Sequence, residues 1–401
     1  MSLFFPVEMA PHDPILGLNE TFNADTRAEK VNLGVGVYYD EAGKLPLLRA
    51  VQAAEEARVA EHAPRGYLPI DGLAAYDKAV QELLFGAESS VMQSGRLITA
   101  QSLGGTGALK LGADFLHRLT DKRLVAISDP SWENHRSLFE AAGYEVVTYP
   151  YYNPETHGLN LAGMLEGIEA LPEGSVVLLH ACCHNPTGVD LGLADWARVI
   201  DVIQRCNHVP FLDIAYQGFG ENLQDDALAV RLFAESGLPF LVASSFSKSF
   251  SLYGERVGAL TLVTRDADEN ARVLSQLKRV IRTNYSNPPT HGAKIVSAVL
   301  NNAELYALWE DELAEMRERI RGMRQALAEK LKAEGVDQDV DFIQRQRGMF
   351  SYSGLSKDQV KRLADEFGIY AVSSGRICVA ALNMNNVDYV AKAMATVMRE
   401  A

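Results

Sequence analysis

The sequence predicts an α/β fold with a largely parallel sheet, and three observations carry that expectation. Short apolar runs alternate with segments of helix length through the middle of the chain. Each run ends in a polar cluster, and ligands of such sheets collect beyond the carboxyl ends of the strands. After Asn301 a long amphipathic stripe leads into a second region of different, mixed character.

In chain order, "VNLGVGVYYD" (31–40) is strand-like and is expected to join the C-terminal region. The runs at 124–128, 175–180, 209–216, 238–244 and 259–264 read as buried strands, and 193–206 as one of the intervening helices. From Ala303 to Gly335, Leu313, Met316, Ile320, Met323, Leu327 and Leu331 recur three and four apart, so a single helix is expected, with Glu315 and Arg319 as an i, i+4 surface pair. That helix either packs and joins two domains or dimerises through its stripe. Beyond it, "GMFSYSG", a helix from Ser356 to Phe367 and a strand pair around "IYAVSSGRICVAAL" describe a smaller α+β unit.

The chain has 401 residues, 47% apolar and 22% charged, enough for two domains. A formal charge of −14 argues against nucleic acid or an anionic membrane as the main partner. No apolar stretch reaches the roughly 20 residues of a membrane helix, and the first residues lack a signal-peptide pattern. Four cysteines, Cys182, Cys183, Cys206 and Cys378, form no disulfide framework, which fits a cytoplasmic location.

The chemistry gathers at the strand exits. "GGTGALKLGADFL" from Gly104 offers a helix N-terminus for an anion, or simply a tight turn; it fails both the Walker A and the dinucleotide fingerprints. Asp213 stands in an otherwise apolar strand and needs a cation, either on a flat ring lying over Ala215 or in a structural salt bridge. "HACCHNPTG" (180–188) matches no zinc spacing; it reads as core residues followed by a turn in which Pro186 is a candidate cis proline. "SSFSKSFSLYGERVG" (244–258) places Lys248 among hydroxyls with Arg256 nearby. Lys248 is a surface lysine, a phosphate binder or a covalent amine catalyst. The last needs a depressed pKa, which burial and a neighbouring cation supply. An amine, an anion site at Ser245, Ser247 and Arg256, and a buried acid for a heteroaromatic nitrogen together describe pyridoxal phosphate.

With "NLGVGVYYDE", "GYLPIDG", "SDPSWENH", "DIAYQGFG", "RTNYSNPPTHGA", "RGMFSYSGL" and "SSGRICVA" added, the sequence resembles the class I pyridoxal-phosphate aminotransferases of the aspartate/aromatic-amino-acid subgroup, along almost its whole length. Within it, the likeness is to bacterial aromatic-amino-acid aminotransferases of the tyrosine aminotransferase type. The resemblance implies the fold type I architecture: an N-terminal arm (1–14), a small domain (15–46 with 315–401) and a large cofactor-binding domain (47–314). It implies that Lys248 is catalytic and covalently holds pyridoxal 5'-phosphate. Asp213 would pair with the ring nitrogen, Tyr216 and Asn185 with the ring hydroxyl, and Trp132 would stack on the ring, with His135 supporting Trp132 or Asp213. Gly105, Thr106, Ser245 and Arg256 would hold the phosphate, joined by Tyr67 of a partner subunit. Gly36, Trp132, Asn185 and Arg376 would meet the substrate, and Arg282, again from the partner, its distal carboxylate. The implied assembly is a homodimer with shared active sites. Tyr39, Leu45 and Gly66 at the matching pocket edge favour rings, while Thr106 and Asn287 are of the aspartate type. The expected activity is transamination of tyrosine, phenylalanine, aspartate and glutamate with 2-oxoglutarate or another 2-oxo acid. The alternative is an aspartate aminotransferase with weak aromatic activity.

Overall fold

A computed structural model describes residues 2–10 and 15–399. Part of the expected arm (residues 1 and 11–14) and the last two residues of the expected small domain lie outside them. Seven strands form the central sheet: β1 (Leu97–Leu103), β2 (Leu124–Asp129), β3 (Glu145–Pro150), β4 (Val176–His180), β5 (Val209–Ile214), β6 (Phe240–Ser245) and β7 (Val257–Val263), in the order β1-β7-β6-β5-β4-β2-β3. β7 runs antiparallel to both neighbours and all other pairs are parallel. The five expected strands are there. β1 and β3 are additions that apolar periodicity did not mark.

The two-residue period of a strand sorts the core. Leu178, Phe211 and Leu241 point into one apolar cluster, with Leu109 and Leu277 from the helices Gly104–Leu119 (α1) and Ala267–Asn284 (α4). Leu179, Leu212 and Val242 point into the other, with Trp196 from Leu193–Arg205 (α3) and Trp309 from Ala303–Ala333 (α5). Helix α2 (Glu133–Ala141) follows β2. Strands covered on both faces are continuous apolar runs, and β4 to β7 are buried throughout apart from Val209.

Trp309 links packing to the site. Its ring is fully buried and stacks on Phe250 at 4.5 Å, and its Nε1 donates to the Ser249 carbonyl at 2.7 Å, one residue beyond Lys248. Losing such a ring typically costs about 3–5 kcal/mol, so the turn carrying Lys248 is firmly tied to α5.

Three local expectations are corrected. Only Val31–Asn32 of the 31–40 segment is strand, paired in parallel with Ile369–Tyr370. Its later backbone instead serves side chains and single contacts, such as the Gly34 carbonyl bound by Arg376. The strands around 369–378 do not pair with each other: Arg376–Cys378 runs antiparallel to Phe350–Tyr352. Glu315 and Arg319 do not pair either. Arg319 donates to the carbonyls of Asp40 and Leu382, and Glu315 lies 3.8 Å from Arg49. Helix α6 (Lys357–Phe367) has the expected start, with Ser356 and Gln359 forming a capping box.

Candidate active site

The sheet's topology brings the polar exits to one edge. β2, β4, β5 and β6 end there, and antiparallel β7 begins there, so Arg256, just before Val257, arrives at the same edge as Ser245. His180 pairs in register with Asp213 and Ser245 with Gly258. A cavity of about 370 Å³ lies at this edge, lined by Lys248, Asp213, Tyr216, Asn185, Arg256 and Arg376 among others. Gly36, Gly105, Thr106, Trp132, Ala215 and Ser245 also line it.

Helix α1 begins at Gly104 with no side chain capping it; the Gly104 N–H donates to the Arg256 carbonyl at 2.9 Å, and the next residues of this N-terminus, Gly105 and Thr106, line the cavity. Close backbone approach requires glycine here. Gly104 has φ +70°, and a Cβ on it would fall 2.4 Å from Arg256 Nη2. A Cβ on Gly258 would fall 2.4 Å from the Gly104 carbonyl carbon. Arg256 itself adopts φ +54° and donates from Nη1 to Ser247 Oγ (3.3 Å) and the Tyr253 carbonyl (2.9 Å). Guanidinium, hydroxyls and helix N-terminus thus converge as an anion cradle.

Asp213 is buried, and its Oδ2 lies 2.9 Å from His135 Nε2, whose Nδ1 in turn lies 2.9 Å from Ser131 Oγ. Burial pushes the carboxyl up, but the His135 hydrogen bond, with the Lys248 amine nearby, reverses this and holds it below its ordinary value. Asp213 is therefore an anion facing the cavity. His180 is pushed down to about 3 by burial and by His135, and stays neutral. His184 is also driven down by burial, held between Ser128 Oγ (2.9 Å) and Thr187 Oγ1 (2.7 Å) and stacked on Tyr151. The side chains of His135, His180 and Asp213 come within 4.8 Å of one another, as do those of Cys182, Cys183 and Asp226. The first group belongs to the Asp213 relay.

Lys248 Nζ sits 4.7 Å from the centre of the Tyr216 ring. Burial, opposed by Asp213 and assisted by Arg256 and Arg376, pushes its amine down to about 8. Arg376 is buried, donates from Nη1 to Asn185 Oδ1 (3.1 Å) and from Nη2 to the Gly34 carbonyl (2.6 Å), and lies over the Phe350 ring at 4.3 Å. Its Nε finds no hydrogen-bond partner among the described residues. The Asn185–Pro186 peptide is cis, as is Asp129–Pro130. Trp132 opens α2 and meets the His135 ring edge-on at 5.1 Å.

Tyr67, 96% exposed, and the exposed Arg282, whose Nη1 donates to Ser286 Oγ, lie outside this cavity. Tyr39 is half-buried, and Leu45 and Gly66 are exposed. Asn287 donates to the Leu68 carbonyl at 2.9 Å. Sequence reasoning did not assign Tyr253, Phe350 or His180 to the cavity, though all three line it. A register argument pairing His180 with Asp213 was the available signal for the last.

The sequence profile described as "Aminotransferase class I and II" matches residues 28–394. An aspartate aminotransferase of Pseudomonas aeruginosa is 69% identical over 99% of this chain and 100% of its own. An aromatic-amino-acid aminotransferase of Escherichia coli is 51% identical over the same shares. Among solved structures, an aromatic-amino-acid aminotransferase from Burkholderia pseudomallei, covalently bound to pyridoxal phosphate, superposes with TM-score 0.97 at 66% identity, covering 99% of this chain and 100% of that one. A Psychrobacter aromatic-amino-acid aminotransferase cocrystallised with aspartic acid gives 0.97 at 47% identity, over 99% and 100%. With matches across nearly its full length and this arrangement at the sheet edge, the chain belongs to the class I and II aminotransferase family.

Proposed function

We propose that this chain is a pyridoxal-phosphate-dependent transaminase that moves the amino group of tyrosine, phenylalanine, aspartate or glutamate to 2-oxoglutarate or another 2-oxo acid in a ping-pong cycle. The observation that carries it is the meeting of a pKa-depressed amine, an anionic carboxylate and an anion cradle in one cavity. The residues fit the cofactor. Arg256, Ser245, Thr106 and the Gly105 end of α1 suit its phosphate, and the glycine-lined approach leaves no Cβ in the way. Asp213 suits its ring nitrogen, Tyr216 and Asn185 its hydroxyl, and Trp132 its face.

When bound, pyridoxal phosphate supplies a ring that takes up the charge left when the α-proton departs. Asp213, kept anionic by its His135 hydrogen bond, would hold a proton on the ring nitrogen of the cofactor. Lys248, with its amine pushed down to about 8, is partly neutral under ordinary conditions; it would anchor the cofactor and move the α-proton at Nζ. Arg376 grips the α-carboxylate, held in place by Asn185, Gly34 and the Phe350 ring.

Two exposed residues outside the cavity, Tyr67 and Arg282, support a homodimer in which each subunit completes the other's site. We divide the chain as the sequence suggested, into an arm (1–14), a small domain (15–46 with 315–401) and a large domain (47–314). Among the described residues no helix is long and apolar enough to cross a membrane, and we read the location as cytoplasmic.

The second reading, an aspartate aminotransferase with weak aromatic activity, is favoured by the Pseudomonas aeruginosa relative. Arg282→Leu and Arg376→Leu decide. A dicarboxylate leaves an unpaired charge when Arg282 is lost, so kcat/KM for aspartate should fall by about two to four orders of magnitude, or ~3–5 kcal/mol of transition-state binding, with phenylalanine nearly unchanged. Arg376→Leu should damage both. A phenylalanine rate far below the aspartate rate in the unmodified enzyme selects the second reading.

A further inference from the structure

A second cavity, of about 670 Å³, shares no lining residue with the first and lies between α5 and residues 344–348. Arg317, Arg321, Arg324, Arg345 and Arg347 line it, against one lining carboxylate, Glu221, among the described residues. Glu221 bridges Arg321 at 2.7 Å and Arg347 at 3.0 Å. At the rim Glu318 lies 2.9 Å from Arg321 and 3.7 Å from Arg317, and Asp339 lies 3.5 Å from Arg345. With Asp190, whose field reaches Arg324 and Arg347, four carboxylates face five guanidiniums. Arg324 is buried and bound by carbonyls, those of Ile343, Gly348 and Phe350. The half-buried Asp190 acts on Arg324 and Arg347 through the field, while its own oxygens accept from the N–H groups of Cys183 and His184. Arg317 Nε is buried with no hydrogen-bond partner among the described residues.

An excess of guanidiniums over carboxylates makes this groove locally positive on a chain of charge −14, a field that attracts anions. Planar forks approaching from both α5 and the 344–348 segment suit a tetrahedral oxyanion better than one flat carboxylate, which a single fork satisfies. The volume exceeds what one orthophosphate fills. We propose that this groove binds a small, multiply charged phosphate compound, at a place separate from the active cavity. Two contacts join the two places. The Arg347 N–H donates to the Gly188 carbonyl at 2.7 Å, in the turn that carries Asn185, and Arg324 holds the carbonyl of Phe350, whose ring lies against Arg376.

The test uses the cofactor-loaded enzyme and inorganic pyrophosphate, followed by titration calorimetry at constant ionic strength. Saturable binding is expected, weakened at least tenfold in the double variant Arg321→Gln/Arg345→Gln. Both side chains are largely solvent-facing, so the variant should keep its transamination rate, which reports that it is folded. Absence of saturable binding, or equal affinity in the double variant, overturns the proposal, the latter because the anion would then sit elsewhere.

Discussion

Replacing Lys248 by methionine should stabilise the cofactor-free protein, and by an amount that depends on pH. The amine is pushed down from 10.5 to about 8 in the folded chain. At ~1.36 kcal/mol per pH unit this corresponds to roughly 3 kcal/mol. The sign follows from proton counting. Below pH 8 the amine is charged in both states, and the folded state bears the full cost of burying it. Between pH 8 and 10.5 the unfolded chain binds the extra proton, so raising the pH stabilises the fold. Above 10.5 both states are neutral and the cost is gone. Methionine keeps the stem and removes the charge, but loses the contact with the Tyr216 ring, worth about 0.5–1 kcal/mol. The variant should therefore be more stable by about 2–3 kcal/mol at pH 7, with the gain vanishing towards pH 10.5. Denaturant unfolding of both cofactor-free proteins across this range measures the difference directly. A gain that is absent at pH 7, or that does not change with pH, would show that Lys248 is solvated like a surface lysine, and the account of its reactivity would fall with it.

Other outcomes follow from the same geometry. Asp213→Asn keeps the shape beside His135 but removes the anion, so the variant should fold normally and lose turnover by at least about 10³-fold, the upper part of the range for a proton-holding group; unfolding with normal residual chemistry would favour a structural salt bridge. Gly104→Ala places a methyl group against Arg256 at a backbone angle alanine disfavours, so pyridoxal phosphate affinity, read by absorbance titration, should drop at least tenfold, with a melting-temperature loss of only a few degrees from the strained backbone. If Arg282 serves the partner's cavity, mixing the inactive Lys248→Ala and Arg282→Leu homodimers under exchange conditions should restore aspartate turnover in hybrids, and no recovery would place Arg282 in its own subunit's chemistry.

Strands were readable in the sequence where burial on both faces makes them continuous apolar runs, as in β4 and β6. β1 was not, because it carries Thr99, Gln101 and Ser102 into a buried position. Thr99 pairs its hydroxyl with Thr261 at 2.9 Å, Gln101 donates to the Pro289 carbonyl, and Ser102 donates to the Gly104 carbonyl. Those partners are distant or conformational, and no local pattern announces them. β3 was missed for the opposite reason. It is one of the sheet's two edge strands, half exposed where β1 is covered, and its alternation is diluted by Glu145 and Thr148. Glu315 and Arg319 had ideal helical spacing, but the 40–41 and 382 segments compete for Arg319 with carbonyls and Glu41, and the stronger set of partners wins.

The site divides along a similar line. Lys248, Asp213 and Arg256 could be picked out because each is chemically out of place at the end of an apolar strand. Phe350 and Tyr253 could not, since an aromatic residue in an apolar setting looks like core. Their meaning comes from what they touch. Phe350 lies under the Arg376 guanidinium and would collide with any side chain at Gly36, and the Tyr253 hydroxyl accepts from the Tyr38 N–H at 3.0 Å. Both residues tie the 34–38 segment, itself mostly without regular structure, to the cavity wall. A carboxylate site built this way needs the N-terminal segment, the 185 turn and the 350 and 376 strands together, because Arg376 divides its donors between Gly34 and Asn185. Its remaining nitrogen, Nε, is the donor with no protein partner among the described residues. On the proposed reading, an α-carboxylate arriving there would meet a guanidinium already oriented by its neighbours, so little side-chain freedom would be left to lose on binding.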